Sequence, residues 1–594
     1  MITSISKGRR TTLLTLAAAV ASMLAAMAAG CGGGGSNSAG LATAAAPPGA
    51  VTADAVYTNA KVLTVDASDT VAEAFAVKDG RFLAVGSQSE LNSYIGANTA
   101  VVDLGKRTVV PGLGDGHLHD VGGGPGIDVS QVRSIAQMLA TISMAVAKAQ
   151  PGELLISNPD WYHGQLDERR MPTRAELDSV APNNPLVLLR GGLTAVLNSA
   201  ALSKFNITES TVSPQGGIIE KDVNGHLTGV LINAARSLMT LPPDPPFDST
   251  RMQAFQQKLN ALGVTSVRIP GAFTGTKVPA AYKLIRQLQN EGKLTLRFDM
   301  LLDSRVGTAQ DVQQISDAAD MPPGSGDDWA RVWGAKTYVD GGFEGGFMTE
   351  AFEEPYGQHG TYFGLPLFTA DQHEAVVSAW AQRKYRVAVH VVGDAALDQV
   401  LTSWEKLDKA SPGIVKGWVI EHALVARSDQ IPRIKALGVQ LSLQPHLYYA
   451  APILAGLWGR ARADVVVRTK EFSDAGFEVA GGSDSPLVLN PFLTMYHFVV
   501  RDTVNDGIYG ASERISRPAA LRMFTSNFAK LNNEQDIKGS IEKGKLADFA
   551  VLTSDYLTIP DAQIKTLTPV ATYVGGREVY RNNAVTFGQH LGRQ

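Results

Sequence analysis

The sequence predicts an α/β fold: a (β/α)8 TIM-like barrel with a small β-sandwich domain built from both chain ends. Three observations carry that reading. Across residues 111–501, short apolar runs alternate with helical segments, the pattern of parallel strands joined by crossover helices. The flanking stretches, 52–110 and 502–588, hold short strands closed by hairpin turns. And His117, His119, Lys336, His390, His422 and Asp484 each stand at the end of an apolar run, where the polar residues of a barrel strand face its mouth.

The chain has 594 residues, more than one ordinary core accommodates, which favours one large domain and one smaller one. Charged residues make up 19% and the net charge is -4, so no basic excess points to nucleic acid. Residues 1–31 read as an address. Lys7, Arg9 and Arg10 precede the uncharged apolar run from Thr11 to Ala29, and Ala28-Ala29-Gly30 leads to Cys31. This resembles a bacterial lipoprotein signal, with Cys31 lipidated and first in the mature chain. An uncleaved anchor, or cleavage beside an incidental thiol, are the competing readings. Arg9-Arg10 also fits twin-arginine export. Cys31 is the single cysteine, so no intramolecular disulfide forms. Residues 32–51 are Gly/Ser/Ala-rich and read as a flexible tether. The expected location is the bacterial cell envelope, on the periplasmic or outer-surface side, with the membrane reached through Cys31.

Next come the strands. Ala55-Val56-Tyr57, Lys61 to Val65 and Ala74 to Val77 are followed by Asp79-Gly80, a hairpin signal, and by Arg81 to Val85 across it. Val101 to Leu104 and Thr108 to Val110 continue the pattern. It returns in Ala547 to Leu552, Ala571 to Val574 and Glu578 to Tyr580, with Gly575-Gly576 as a turn. Between these ends the barrel candidates are Leu186–Leu189, Val264–Val267, Leu294–Phe298, Val332–Tyr338, Val387–His390, Gly417–His422, Val439–Leu443 and Glu478–Gly481.

The most informative stretch is Val109-Val110-Pro111-Gly112-Leu113-Gly114-Asp115-Gly116-His117-Leu118-His119. On an extended strand, residues two apart face the same side, so His117 and His119 aim two imidazoles at one point, as a divalent metal requires. A His-x-His alone is also found as two solvated or core histidines. The later strand-end residues make the metal reading the more specific one. His163, His226, His359, His373, His497 and His590 lack such a context.

These motifs resemble the amidohydrolase superfamily, in the branch of YtcJ-like hydrolases and N-substituted formamide deformylases. The resemblance rests on Asp115-Gly116-His117-Leu118-His119, Lys336 before Asp340-Gly341-Gly342, and His390 before Val391-Val392-Gly393-Asp394. Further matches are Glu421-His422, Gln444-Pro445-His446, Gly482-Ser483-Asp484, and Gly539 to Asp548. It covers nearly all of residues 52–585. It implies that His117 and His119 bind one ion with Asp484, that His390 and His422 bind a second, and that Lys336, carboxylated by CO2, bridges the two. It implies one or two divalent ions, zinc first, with Mn or Fe as alternatives. It also implies hydrolysis of a carbon–nitrogen bond of a small molecule by metal-bound hydroxide, with Asp484 as the catalytic proton shuttle.

Trp161, Arg268 and His446 are the candidate substrate contacts, with a surface ion pair as the plainer reading of Arg268 and an orienting role as the alternative for His446. Gly192-Leu193, Asn233 and Arg268 depart from the branch pattern, which bears on substrate rather than metal. The loops 341–368 and 448–470 are expected to shape specificity. The same site could cleave an ester or lactone, or belong to a binding lipoprotein without catalysis. Expected partners are a small-molecule substrate and the membrane, with a homodimer left open.

Overall fold

In the computed structural model the chain is described over residues 51–592, apart from 123, 244, 246, 272–275, 354–359 and 486–487. The expected signal, Cys31 and nearly all of the tether therefore lie outside the described residues, as does His359. Among the described residues no helix is long and apolar enough to cross a membrane.

Eight parallel strands form the barrel sheet: Leu113–Asp115, Val264–Ile269, Arg297–Asp303, Ala330–Tyr338, Val387–Val391, Val419–His422, Gln440–Leu443 and Ala480–Gly481. They pair in that order. The first and last strands meet just beyond their named ends. Gly116 N–H donates to the Gly481 carbonyl at 2.9 Å, Asp484 N–H donates to the His117 carbonyl at 2.8 Å, and Leu118 and Ser485 form a parallel bridge. The seam explains two of the motif's glycines. A Cβ on Gly116 would stand 2.7 Å from the Gly481 oxygen, and one on Gly482 would stand 2.6 Å from the His117 nitrogen. Both faces of the strands are covered, so nearly every position is buried, as in Val387–Val391 and Val419–His422, where the polar residues come only towards the C-terminal end. Crossover helices such as Val278–Asn290, Ala370–Gln382 and Asp394–Ala410 cover the outside.

Seven of the expected barrel strands fall in this sheet; Leu186–Leu189 does not. It belongs to a separate five-stranded sheet inserted between the first and second barrel strands, in the order Gly217–Lys221, Leu227–Asn233, Thr194–Leu197, Leu186–Arg190, Leu155–Ile156. The first barrel strand is instead the three-residue Leu113–Asp115 that leads into the His-x-His. An apolar run of four residues carries no mark of which sheet it will join.

Strands from both chain ends pair in one nine-stranded sheet. Its middle strand, Ala100–Pro111, is parallel to Ala55–Leu63 on one side and antiparallel to Phe549–Leu552 on the other. The two runs expected there are one strand, irregular at the left-handed Gly105 and Lys106. Tyr57, Phe75, Phe549 and Tyr573 stack on its buried face, with Phe549 and Tyr573 centroids 4.4 Å apart. Both expected hairpin turns have positive φ at both central residues, Asp79-Gly80 and Gly575-Gly576, which suits the twist of the strands they join. This sheet is clamped to the barrel by a buried bidentate pair, Arg297 on Asp548 at 2.7 and 2.9 Å. Middle strand and first barrel strand are continuous through Gly112, so the sheet places the His-x-His at the barrel mouth.

Candidate metal centre

His117, His119, Lys336, His390, His422 and Asp484 line one cavity of about 1430 Å³ at the C-terminal ends of the barrel strands. His117, His422 and Asp484 each offer a ligand atom, all within 4.8 Å of one another. His119 Nε2 stands 3.2 Å from His117 Nε2, and Asp484 Oδ1 lies 3.5 and 3.6 Å from these two nitrogens. The His390 ring centroid is 4.6 Å from that of His422. Two of these residues have left-handed backbone, His422 with φ 72° and Asp484 with φ 49°, a region uncommon for residues other than glycine but most often entered by Asn, Asp and His.

Neighbouring groups set which nitrogen of each ring is free. Glu421 Oε2 is 2.8 Å from His117 Nδ1; a carboxylate only accepts, so Nδ1 carries the proton and Nε2 turns its lone pair inward. Gln444 Oε1 does the same for His422 Nδ1 at 2.6 Å, its amide Nε2 donating to Ser442 Oγ at 2.9 Å. His390 Nε2 donates to the Gly341 carbonyl at 3.1 Å, which leaves Nδ1 free. Burial holds His422 and His390 well below the ordinary histidine range and lowers His117 as well, which favours the neutral imidazole in all three. Burial alone would raise Asp484, but His117, His446 and His422 outweigh it and hold the carboxyl well below its usual range. Neutral imidazole lone pairs and a carboxylate thus face one point, where they repel unless a cation stands among them. That donor set fits a divalent ion.

Lys336 is buried, and burial lowers its amine to about 8 against the pull of Glu421 and Asp484. A partly neutral amine is what addition of CO2 requires. Asp115 joins the seam itself, accepting the backbone N–H of His117 and of Ser483, each at 3.0 Å. Asp340 accepts the N–H groups of Phe347, Val392 and Gly393 and so fixes the loop beside His390.

The amidohydrolase family model matches residues 100–580. The chain belongs to the amidohydrolase family. Protein LONG AFTER FAR-RED 3 of Arabidopsis thaliana is 29% identical over 558 residues, covering 90% of this chain and 93% of the relative. N-substituted formamide deformylase of Arthrobacter pascens is 28% identical over 543 residues, covering 88% and 97%. An uncharacterized metal-dependent hydrolase of Pyrococcus horikoshii shares the fold, with a TM-score of 0.62 at 20% identity, over 86% of this chain and 99% of that one.

In this amidohydrolase the three expected substrate contacts separate. His446 lines the cavity, with Nε2 2.7 Å from Asp484 Oδ2. Trp161 does not: it is fully buried in the insert's own core and donates its Nε1–H to the Leu189 carbonyl. Arg268 reaches neither the cavity nor the surface. It is fully buried, pairs with Glu421, bonds the Gly116 carbonyl at 3.2 Å and lies 4.0 Å over the Trp333 ring. It is therefore a positioning residue behind His117, and the surface ion-pair reading of it is also corrected. Leu193 and Asn233, noted for departing from the branch, do line the cavity. Of the two expected specificity loops, 341–368 supplies Gly341, Gly342, Phe343, Leu367 and Phe368 to the wall, whereas 448–470 is largely helical, within His446–Trp458 and Arg460–Asp464. Arg236, Arg305 and Tyr338 also line the cavity; standing in no motif, they gave no signal in the sequence.

Proposed function

We propose that this chain is a metal-dependent hydrolase that cleaves a carbon–nitrogen, amide-type bond of a small molecule. The observation that carries the reading is the convergence of ligand atoms of His117, His422 and Asp484 at the barrel mouth, with His119, His390 and Lys336 lining the same cavity. His117, His119, His390, His422, Asp484 and Lys336 would hold one or two divalent ions, zinc first. Such an ion, when bound, polarises a carbonyl and lowers the pKa of water to about 7.

The chain's own residues supply the rest. Glu421 and Gln444 hold the two imidazoles in the tautomer that ligates. His446 donates to Asp484 Oδ2 and so leaves Oδ1 directed at the histidine nitrogens. In this reading Asp484 takes the proton of the attacking water and returns it to the leaving nitrogen. An amide nitrogen leaves poorly unless protonated, so that transfer is what makes the C–N bond cleavable. By the sequence of residues 1–31, the enzyme acts at the cell envelope, anchored through Cys31.

The test is Asp484→Asn on a panel of N-formyl and N-acyl amides. Hydrolysis should fall at least about 100-fold, the usual range for a lost acid–base group, while substrate binding persists. Unchanged turnover would remove Asp484 from this role. Turnover of esters alone would overturn the carbon–nitrogen assignment, and binding without turnover of any kind would leave a ligand-binding lipoprotein.

A further inference from the structure

The cavity wall carries positive charge that makes no direct ion pair among the described residues. Arg236 lies in the 3-10 turn Ala234–Leu238, directly after Asn233, and Arg305 lies two residues beyond the third barrel strand. With Asn233 they line the same cavity as the histidines. Arg236 Nη1 donates to the Gly192 carbonyl, while its Nε is buried without a partner. Arg305 lies 4.3 Å over the Tyr338 ring. Among the described residues no carboxylate comes within 4.0 Å of either guanidinium, and Asp303 attracts Arg305 only from farther away. Burial and the nearby Arg305 hold Arg236 down at about 10. The Arg305 charge also reaches His119 and His390, as a minor influence beside their burial.

Asn233 adds a third unsatisfied group. Its Oδ1 and Nδ2 are both buried without partners, on backbone with φ 50°. The acids nearest the reaction are already committed, Asp484 to His446 and Asp340 to three backbone amides. A buried donor left unpaired, such as Arg236 Nε, is costly, and neither Arg236 nor the exposed Arg305 makes a direct ion pair among the described residues. Such groups persist where a ligand supplies the missing partner. An anion is the ligand that two guanidiniums and an amide N–H recognise, and a planar carboxylate suits the donor fork of arginine.

We propose that Arg236, Arg305 and Asn233 form an anion subsite for a carboxylate of the substrate itself. The amide hydrolysed would then belong to a molecule bearing its own carboxylate, such as an N-acyl amino acid. This deepens the hydrolase reading above and rests on it for the reaction, but not for the binding.

The experiment is calorimetric titration of the full-length, metal-loaded protein with N-formyl and N-acetyl amino acids, each beside its neutral carboxamide, with turnover recorded separately. The acids should bind at least about tenfold more tightly, the worth of one charge-assisted hydrogen bond or more. That ratio should fall towards one in Arg236→Gln and Arg305→Gln, with circular dichroism checking the fold, and should partly return in Arg305→Lys. Preference for acids without hydrolysis would uphold the subsite and sink the hydrolase reading. Hydrolysis with no preference for any acid over its carboxamide would overturn the subsite and leave the reaction standing. Inorganic phosphate binding tightly while the acids show no preference would also overturn it, in favour of a free-anion site.

Discussion

The buried chain Arg268–Glu421–His117 can be broken at two places, and its energetics can be stated in advance. Glu421 is fully buried, with Arg268 Nη1 2.5 Å from Oε1 and His117 Nδ1 2.8 Å from Oε2. Burial pushes its carboxyl up, but Arg268, His117 and Lys336 outweigh that and hold it well below the usual range. Arg268→Met strands the carboxylate, and Glu421→Gln strands the guanidinium. Each should cost about 3–5 kcal/mol, the range for removing one partner of a buried ion pair. In the double variant neither charge remains, so its loss should be close to that of one single, a coupling as large as one single's cost, about 3 kcal/mol or more. Glu421→Gln should also weaken metal binding about 10–100-fold, because His117 loses the anion that fixes its ligating tautomer. Equilibrium unfolding of metal-free protein gives the cycle, and competition with a chelating dye gives the affinity. Additive singles with unchanged metal affinity would refute the positioning role of Arg268 and Glu421.

Two further predictions concern single groups. His373 is buried with its Nδ1 3.3 Å from Ser403 Oγ, and burial lowers it from the ordinary 6.5 to about 3. Its folded pKa lies below the unfolded one, so its contribution is complete above pH 6.5 and is lost as pH falls towards 3. At pH 4.5 the loss is ~3 kcal/mol at about 1.4 kcal/mol per unit, and His373→Gln should flatten the fall of unfolding stability between pH 7 and 4.5; an unchanged slope would show the histidine to be accessible. Lys336, held down at about 8 by burial, should form a carbamate with labelled bicarbonate. Carbon-13 NMR should show a carbamate resonance that is missing in Lys336→Met, and its absence from metal-loaded protein would exclude the carboxylated bridge.

The metal-type residues were legible in the sequence because each ends an apolar run, and strand ends of a parallel barrel share one mouth. What the sequence hid are partners brought together from far apart. Arg268 reads as a surface charge because its counter-ion, Glu421, lies 153 residues away, and burial of an arginine has no local signature. Trp161 reads as a candidate substrate contact, and only the packing of the insert shows that it turns inward. Leu186–Leu189 has the composition of a barrel strand, and the insert's own sheet claims it by pairing with Thr194–Leu197 across a short turn. Arg236 and Arg305 are solitary residues in no motif, and their shared cavity is a product of the fold.

The most direct test of the account is metal content. Full-length protein, purified without chelator and analysed by elemental mass spectrometry, should carry one or two equivalents of a divalent ion, zinc first. Hydrolysis of the amide panel should disappear with chelation and return on adding the ion back. His117→Ala combined with His119→Ala should lose both metal and turnover. Protein that takes up no metal on reconstitution, or an amide hydrolysis indifferent to chelation and to loss of these two histidines, would contradict the central claim.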